Sequence, residues 1–179
     1  MINQLKSINS IEELVEFMNT YIKYGWVDIY NNIHYCELKN IRTNYRINTE
    51  KMVEENLAGL CFEQCIMIDE WLKAHNYNHE IYCLRKSSVN KDEEIPFYHV
   101  FILFEYKNKI AHIENILMGQ KGIKYFNNKI EAIKYILNQF NPTFFDEIIQ
   151  LENIPENYNL SELDTYFSTN KFDNVRTKI

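Results

Sequence analysis

The chain has 179 residues, of which 46% are hydrophobic and 15% aromatic, and it carries a net charge of −6. This composition excludes an intrinsically disordered chain, and the acidic charge argues against nucleic acid or an anionic membrane as a partner. No apolar run reaches the roughly 20 residues of a membrane-spanning helix, and the first ten residues do not resemble a secretory signal. We therefore expect a cytoplasmic protein whose four cysteines are free thiols.

The N-terminal part of the chain predicts two helices. Ser10 followed by Glu13 has the form of a capping box, so a helix should begin there and end by Gly25. A second, short helix is predicted over 49–56, with Thr49 as its cap. The stretch between them has turn signals and predicts short strands or irregular structure.

The stretch ENLAGLCFEQCIMIDEWL, residues 55–72, predicts a helix opened by a Gly-Leu-Cys step. Cys61, Cys65, Ile68 and Leu72 fall on one face of that helix, which should end near residue 75. Cys65 then lies one turn into the helix and is expected to be a buried thiol.

The middle of the chain predicts strands. Residues 80–85 form a first strand, and 86–96 a polar loop. The nearly all-apolar stretch 97–106 predicts a central strand covered on both faces, and 110–117 a return strand.

Helical patterns return towards the C-terminus, over 129–140, 143–151 and 161–167, followed by a loose tail. This order predicts an α+β fold. We expect a single domain over 1–179, with a core at about 11–140 and a C-terminal helical extension at 141–179.

His99 interrupts the most apolar strand of the chain. A lone histidine in such a place is usually a hydrogen-bonded core residue, so its importance depends on its partners. If the hairpin loop has two residues, Lys107 and Asn108, then Tyr106 faces Lys109. Glu114 then lies on the same sheet face as His99. A carboxylate beside an imidazole fixes its tautomer and stabilises its charged form.

Cys61 supplies the third group of a possible thiol site. The thiolate is the nucleophilic form of cysteine, and both a helix N-terminus and a nearby imidazolium lower the thiol pKa. The N–H groups of the first helical turn can also donate to an oxyanion. Cys61, His99 and Glu114 are thus the residue types of a thiol acyl-transfer site.

These motifs resemble those of the transglutaminase-like superfamily, whose core is shared with papain-like proteases and arylamine N-acetyltransferases. The resemblance is carried by YGWVD at 24–28, GLCFEQ at 59–64, the strand histidine in YHVFILF and IEN at 113–115. It covers roughly 11–140. It implies a nucleophile helix packed on an antiparallel sheet with flanking helices, with Cys61 as nucleophile, His99 as general base and acid, and Glu114 as the orienting acid.

The chain departs from that superfamily at two positions of the site. Most members have Asp where this chain has Glu114, and close relatives often have His where it has Asn115. The run 57–59 also lacks the Arg-Gly-Gly that usually precedes the cysteine of arylamine acetyltransferases, which argues against acetyl-CoA-dependent arylamine chemistry.

The resemblance implies an enzyme acting on a peptide, a protein or a small-molecule amide or thioester, without cofactor or metal. Gln64 either lines the cleft or is an exposed glutamine, and we favour exposure. Trp26 either shapes a wall of the cleft or is a core aromatic residue, and core packing is the commoner explanation.

Two other interpretations stay open at this level. The domain could be a transglutaminase-like binding module without turnover, which the Glu at position 114 favours. Alternatively, Cys61, Cys65, His99 and His112 could ligate zinc, although cysteines spaced i, i+4 on a helix are unusual ligands. The three remaining histidines lie in polar, turn-like contexts and predict surface residues: His34, His75 and His79.

Overall fold

The computed structural model describes residues 4–35, 37–86, 98–116, 120–140, 145–170 and 172. Cys36, most of the predicted polar loop and the predicted C-terminal tail from 173 lie outside these residues. In the described part of the chain the helices are α1 (Gln4–Ser7), α2 (Ile11–Tyr21), α3 (Ile41–Asn44), α4 (Glu50–Asn56), α5 (Cys61–Ala74), α6 (Lys129–Gln139) and α7 (Leu160–Thr169). The strands are β1 (Lys23–Tyr24), β2 (Trp26–Val27), β3 (Ile33–His34), β4 (Ala58–Gly59), β5 (His79–Arg85), β6 (Tyr98–Tyr106), β7 (Lys109–Glu114), β8 (Gly122–Phe126) and β9 (Glu147–Leu151).

The fold is mixed α+β, as predicted, and its centre is a five-stranded sheet. The strand order is β8-β7-β6-β5-β9, and every neighbouring pair is antiparallel. The apolar strand β6 is the middle strand, which confirms the prediction of a central position. Two further two-stranded pairs, β1 with β4 and β2 with β3, lie outside this sheet.

Helices cover both faces of the sheet, because alternate residues of β6 belong to different hydrophobic clusters. Val100, Ile102 and Phe104 pack in the larger cluster, together with residues of α2, α5 and α7. Phe101 and Leu103 pack in the smaller cluster, against α6. Below, the two faces of the sheet are called the α5 face and the α6 face.

The hairpin between β6 and β7 has the predicted two-residue loop. Tyr106 pairs with Lys109, and the ladder continues to Phe104 and Ala111. Lys107 and Asn108 both have positive φ, 50° and 59°. Two left-handed residues are typical of the type I′ turn, whose twist matches that of the flanking strands. The register that places His99 and Glu114 on one face is therefore confirmed.

The predicted helices α2, α4 and α5 begin where their sequence signals place them. The Ser10 hydroxyl caps α2 by accepting the N–H of Glu13, Thr49 is the N-cap residue of α4, and α5 begins at Cys61. Among the described residues, no helix has both the length and the apolar character that crossing a membrane requires.

Two elements of the sheet differ from the sequence prediction. The short helix expected over 143–151 is wrong, because 147–151 forms β9, which pairs with β5 from Ile81↔Leu151 to Arg85↔Glu147. Strand β8 has no counterpart among the predicted elements. Short apolar runs do not distinguish a strand from a helix by periodicity, and here pairing with a sheet edge decides.

Candidate functional site

The conformation and contacts of residues 57–60 determine that α5 begins at Cys61. Leu57 ends α4 in the left-handed region, at φ 53°. The Glu63 carboxylate then accepts the N–H of Leu60 at 3.0 Å and so caps the N-terminus of α5. A Cβ atom on Gly59 would lie 2.6 Å from Cβ of Glu63, so the turn requires glycine.

The Cys61 thiol is buried under β6. Its side chain packs in the cluster on the α5 face, and Sγ donates to the carbonyl oxygen of Tyr98 at 3.8 Å. Burial raises the pKa of the thiol to about 12, and this outweighs the backbone N–H groups that lower it. The sequence predicts a lowered pKa; the structure reverses the direction because desolvation exceeds the effect of the helix terminus.

The His99 ring lies on the other face of the same strand. It packs against Phe140 at 4.7 Å and Phe101 at 6.1 Å between ring centroids, and both belong to the α6 face. Burial lowers the pKa of His99 to about 4, against the opposing effect of Glu114, so the imidazole is neutral at pH 7. Within the described residues, no hydrogen bond joins His99 to the Cys61 thiol, so the structure does not bring these two groups together.

Glu114 lies beside two histidines on the α6 face. Its Oε1 accepts the N–H of Ile116 at 2.8 Å, and its Oε2 lies 3.5 Å from Nε2 of His112. Its charge also acts on His99, whose pKa it raises. His99 and Glu114 therefore lie near each other, as predicted. His112 lies beside them, although it does not belong to the predicted group of Cys61, His99 and Glu114.

A small cavity connects these groups to α5. The ladder between β6 and β7 has three residue pairs and ends at Phe104↔Ala111. Beyond it, Nδ1 of His112 lies 3.2 Å from the carbonyl oxygen of Ile102. The separated strands leave a cavity of about 10 Å³, close to the volume that one water molecule needs. The described residues that line it are Gln64, Cys65, Ile68, His99, Val100, His112, Ile113, Glu114, Asn115 and Ile116.

The cysteine in this lining is Cys65 rather than Cys61. Its Sγ donates to the carbonyl oxygen of Val100 at 3.2 Å, and burial raises its pKa well above the usual range. The prediction that Cys65 is a buried thiol is confirmed. Its position shows that the cavity reaches α5 one turn after the helix N-terminus.

Gln64 and Asn115 join α5 to β7 across this cavity. The Gln64 side chain is 2% exposed, so the expectation that it is exposed is wrong. Its Nε2 donates to the carbonyl oxygen of Gly59 at 2.9 Å, and its Oε1 accepts Nδ2–H of Asn115 at 2.6 Å. Both amides are therefore held within the wall of the cavity.

Trp26 lies in the core. It is 2% exposed, its indole N–H donates to the carbonyl oxygen of Glu37, and its ring stacks on His34 at 4.1 Å and meets Tyr45 edge-on. These contacts support the core-packing interpretation of Trp26 rather than a position in the cavity wall.

The three histidines expected at the surface are half-buried and hydrogen-bonded. His34 contacts Asp28, His79 contacts Asp69, and Nδ1 of His75 lies 2.9 Å from the carbonyl oxygen of Trp71. Among the residues that the structure describes, no group of three or more histidine, cysteine or acidic side chains is arranged to hold a metal ion. The zinc alternative thus has no support from the positions of Cys61, Cys65, His99 and His112.

No protein-family model matches the chain, and no curated protein is significantly similar to it.

The sequence indicates His112 only as a possible zinc ligand and Asn115 only as a departure from the superfamily pattern, and it gives neither residue a role in the thiol site. Alternation along β7 places His112 on the same face as Glu114, which is a usable signal. Asn115 points to the opposite face and contacts Gln64. That contact depends on how α5 packs on the sheet, which the local pattern does not determine.

Proposed function

We propose that the protein is a cysteine-dependent acyl-transfer enzyme of the transglutaminase-like kind, acting on an amide or thioester. Cys61 is the nucleophile, His99 the general base and acid, and Glu114 the orienting carboxylate. The observation that carries the proposal is the placement of Cys61 at the first turn of α5, directly on the strand that carries His99. On the neighbouring strand, Glu114 shares a cavity with His99.

The chemistry would proceed in two steps. His99 accepts the proton of the Cys61 thiol, and the thiolate attacks the carbonyl carbon of the substrate. The resulting oxyanion accepts hydrogen bonds from N–H groups at the start of α5. His99 protonates the leaving amine or thiol, which leaves a thioester on Cys61. A water molecule or an amine then attacks that thioester while His99 accepts its proton, and the thiol is regenerated.

This mechanism requires a change from the resting arrangement. The Cys61 thiol is buried and protonated, and the His99 ring lies on the opposite face of β6. Proton transfer needs the two groups within about 3–4 Å. Substrate binding must therefore expose Cys61 and rearrange residues 98–100 so that the His99 ring turns towards the N-terminus of α5. The substrate class we expect is a peptide, a protein or a small-molecule amide, with Gln64 in the wall of the site.

A second candidate function is a transglutaminase-like domain that binds a partner without turnover. The raised pKa of Cys61 favours it, because a thiol that stays protonated at neutral pH is a poor nucleophile. The absence of a described hydrogen bond between Cys61 and His99 favours it as well.

One experiment separates the two candidates. Iodoacetamide alkylation is followed at each cysteine by mass spectrometry from pH 6 to 10, in the folded protein and in the urea-unfolded chain. The enzyme proposal predicts that the rearrangement it requires also occurs transiently without substrate, so folded Cys61 is alkylated faster than the buried Cys65 and Cys83. His99→Asn, which removes the base, should slow the alkylation of Cys61. Protection of Cys61 as complete as that of Cys65 and Cys83 at every pH would instead favour the binding domain.

A further inference from the structure

Tyr98 is the residue of β6 that lies directly on Cys61. Its carbonyl oxygen accepts a hydrogen bond from the Cys61 thiol at 3.8 Å, and its ring meets that of Phe62 edge-on, with centroids 6.1 Å apart. Tyr98 also immediately precedes His99, whose ring lies on the opposite face of the strand. A movement of Tyr98 would therefore uncover Cys61 and displace His99 at the same time.

Helix α7 holds the side chain of Tyr98 by two contacts. The Tyr98 hydroxyl donates to Oδ1 of Asp164, and the Tyr98 ring stacks on Phe167 with centroids 5.3 Å apart. Burial and the Asp164 carboxylate raise the pKa of Tyr98, so its hydroxyl keeps its proton and is a donor at neutral pH. A carboxylate is a stronger acceptor than a neutral oxygen, so Asp164 is the main polar restraint on Tyr98.

Asp164 is itself positioned by α3, whereas α7 is anchored by apolar residues. Oδ2 of Asp164 accepts Nη1–H of Arg42 at 3.1 Å, and both side chains of this ion pair are partly exposed. Leu160 and Leu163 bury the first half of α7 in the larger hydrophobic cluster. Polar contacts that water can reach open locally at lower cost than a buried core. Tyr98 can therefore leave Asp164 while α7 remains packed on the sheet.

We infer that α7 acts as an inhibitory clasp, in which Asp164 and Phe167 hold Tyr98 over Cys61 and keep His99 on the α6 face. These contacts of Tyr98 are called the α7 clasp below. The inference rests on the proposed function for its consequence, because release of Tyr98 is the rearrangement of residues 98–100 that the mechanism requires. The clasp itself is a set of contacts, and its effect on Cys61 can be measured without a substrate.

Tyr98→Phe tests the clasp, because it removes the hydroxyl and keeps the ring that stacks on Phe167. The folded variant is treated with iodoacetamide, and the alkylation rate of each cysteine is measured by mass spectrometry. We expect Cys61 to react about tenfold faster than in the wild type, which is the factor expected for loss of a hydrogen bond to a charged group. Cys65 and Cys83 should keep their rates.

Tyr106→Phe is the matched control. Tyr106 lies at the other end of β6 and packs on the same face, and its hydroxyl also donates to a helix carboxylate, that of Glu12 on α2, at 3.0 Å. The same chemical change at this position should leave the rate at Cys61 unaltered. Equal rates at Cys61 in the wild type and Tyr98→Phe would overturn the inference. Equal acceleration of every buried cysteine in Tyr98→Phe would also overturn it, because that result indicates global unfolding.

Asp164→Asn and hydrogen exchange provide readouts that do not depend on Tyr98→Phe or on a thiol. Asp164→Asn keeps an acceptor but removes the charge, so it should also accelerate alkylation selectively at Cys61. Amide hydrogen exchange over residues 98–100, followed by mass spectrometry, should be faster in both variants than in the wild type. Unchanged exchange over 98–100 in both variants would contradict the clasp. Should Tyr98→Phe fail to fold, Asp164→Asn decides.

His99→Asn in the Tyr98→Phe background distinguishes the clasp from the proposed function. If His99 is the base for Cys61, this second substitution should slow alkylation of the exposed thiol. Faster alkylation in Tyr98→Phe that His99→Asn does not slow would overturn the proposed function and leave the clasp intact. Unchanged alkylation and exchange in Tyr98→Phe would overturn the clasp, even if wild-type Cys61 reacts as the enzyme proposal predicts.

Discussion

Nδ2–H of Asn115 donates to Oε1 of Gln64 at 2.6 Å and ties β7 to α5 across the cavity. Gln64 cannot reverse its amide without loss, because its own Nε2 donates to the carbonyl oxygen of Gly59. The two side-chain amides therefore form a chain of hydrogen bonds in which Asn115 donates to Gln64 and Gln64 donates to Gly59, in the turn before Cys61.

Asn115→Asp should break this chain with little change in shape. The carboxylate would place acceptors against Oε1 of Gln64 and bury a charge, which should lower the free energy of unfolding by about 1–3 kcal/mol. Urea denaturation at pH 7 measures the change. Asn138→Asp is the matched control, because Asn138 is exposed on α6, and it should change stability by less than about 0.5 kcal/mol. Equal effects of the two substitutions would contradict the role assigned to Asn115.

Glu63 should make the protein less stable as the pH rises from the mildly acidic range. Burial raises the pKa of this carboxyl above its ordinary value of 4.5 in the folded state. The folded state therefore holds the proton more tightly than the unfolded state, and the resulting stability is lost as the pH rises from 4.5 through the raised pKa. Glu63→Gln should remove this loss. Denaturation curves at pH 4.5 to 7.5 measure it, and parallel pH profiles for both proteins would count against it.

His99 should have the opposite pH dependence. Its pKa is lowered from 6.5 to about 4 by burial, so the unfolded state binds a proton between these values and the folded state does not. Stability should therefore fall by about 3 kcal/mol as the pH decreases from 6.5 to 4. His99→Gln should flatten this part of the profile, whereas the control His75→Gln should retain it. Because the Glu63 contribution has the opposite sign, the comparison is between proteins, and parallel pH profiles for the wild type and His99→Gln would refute the prediction.

Asn108→Gly should stabilise the β6–β7 hairpin. Asn108 adopts φ 59°, a left-handed conformation that glycine reaches at lower cost than any other residue. We expect the free energy of unfolding, measured by urea denaturation, to rise by at most about 1 kcal/mol, because the relief of left-handed strain is partly offset by the greater freedom of glycine in the unfolded chain. Asn138→Gly, on helix α6, should instead destabilise the protein by about 0.3 kcal/mol, because glycine lies only slightly below asparagine in helix propensity. Destabilisation by Asn108→Gly would show that the turn differs from type I′.

The hairpin shows how much the sequence alone determined. A two-residue loop between alternating strands specifies the register, and the register by itself places His99 and Glu114 on one sheet face. The start of α5 at Cys61 and the central position of β6 also followed from local patterns. In each case the decisive signal lies within a few residues of the feature it specifies.

The protonation states and the contacts of the site residues depend on how distant parts of the chain pack together. The packing of α5 and α6 on the two faces of the sheet raises the pKa of Cys61 and buries Gln64. It also places the His99 ring on the sheet face opposite Cys61. Strand β9 exists because a sheet edge was available to pair with it. Desolvation and strand pairing depend on residues that are far apart in the chain, so they cannot be predicted from local periodicity.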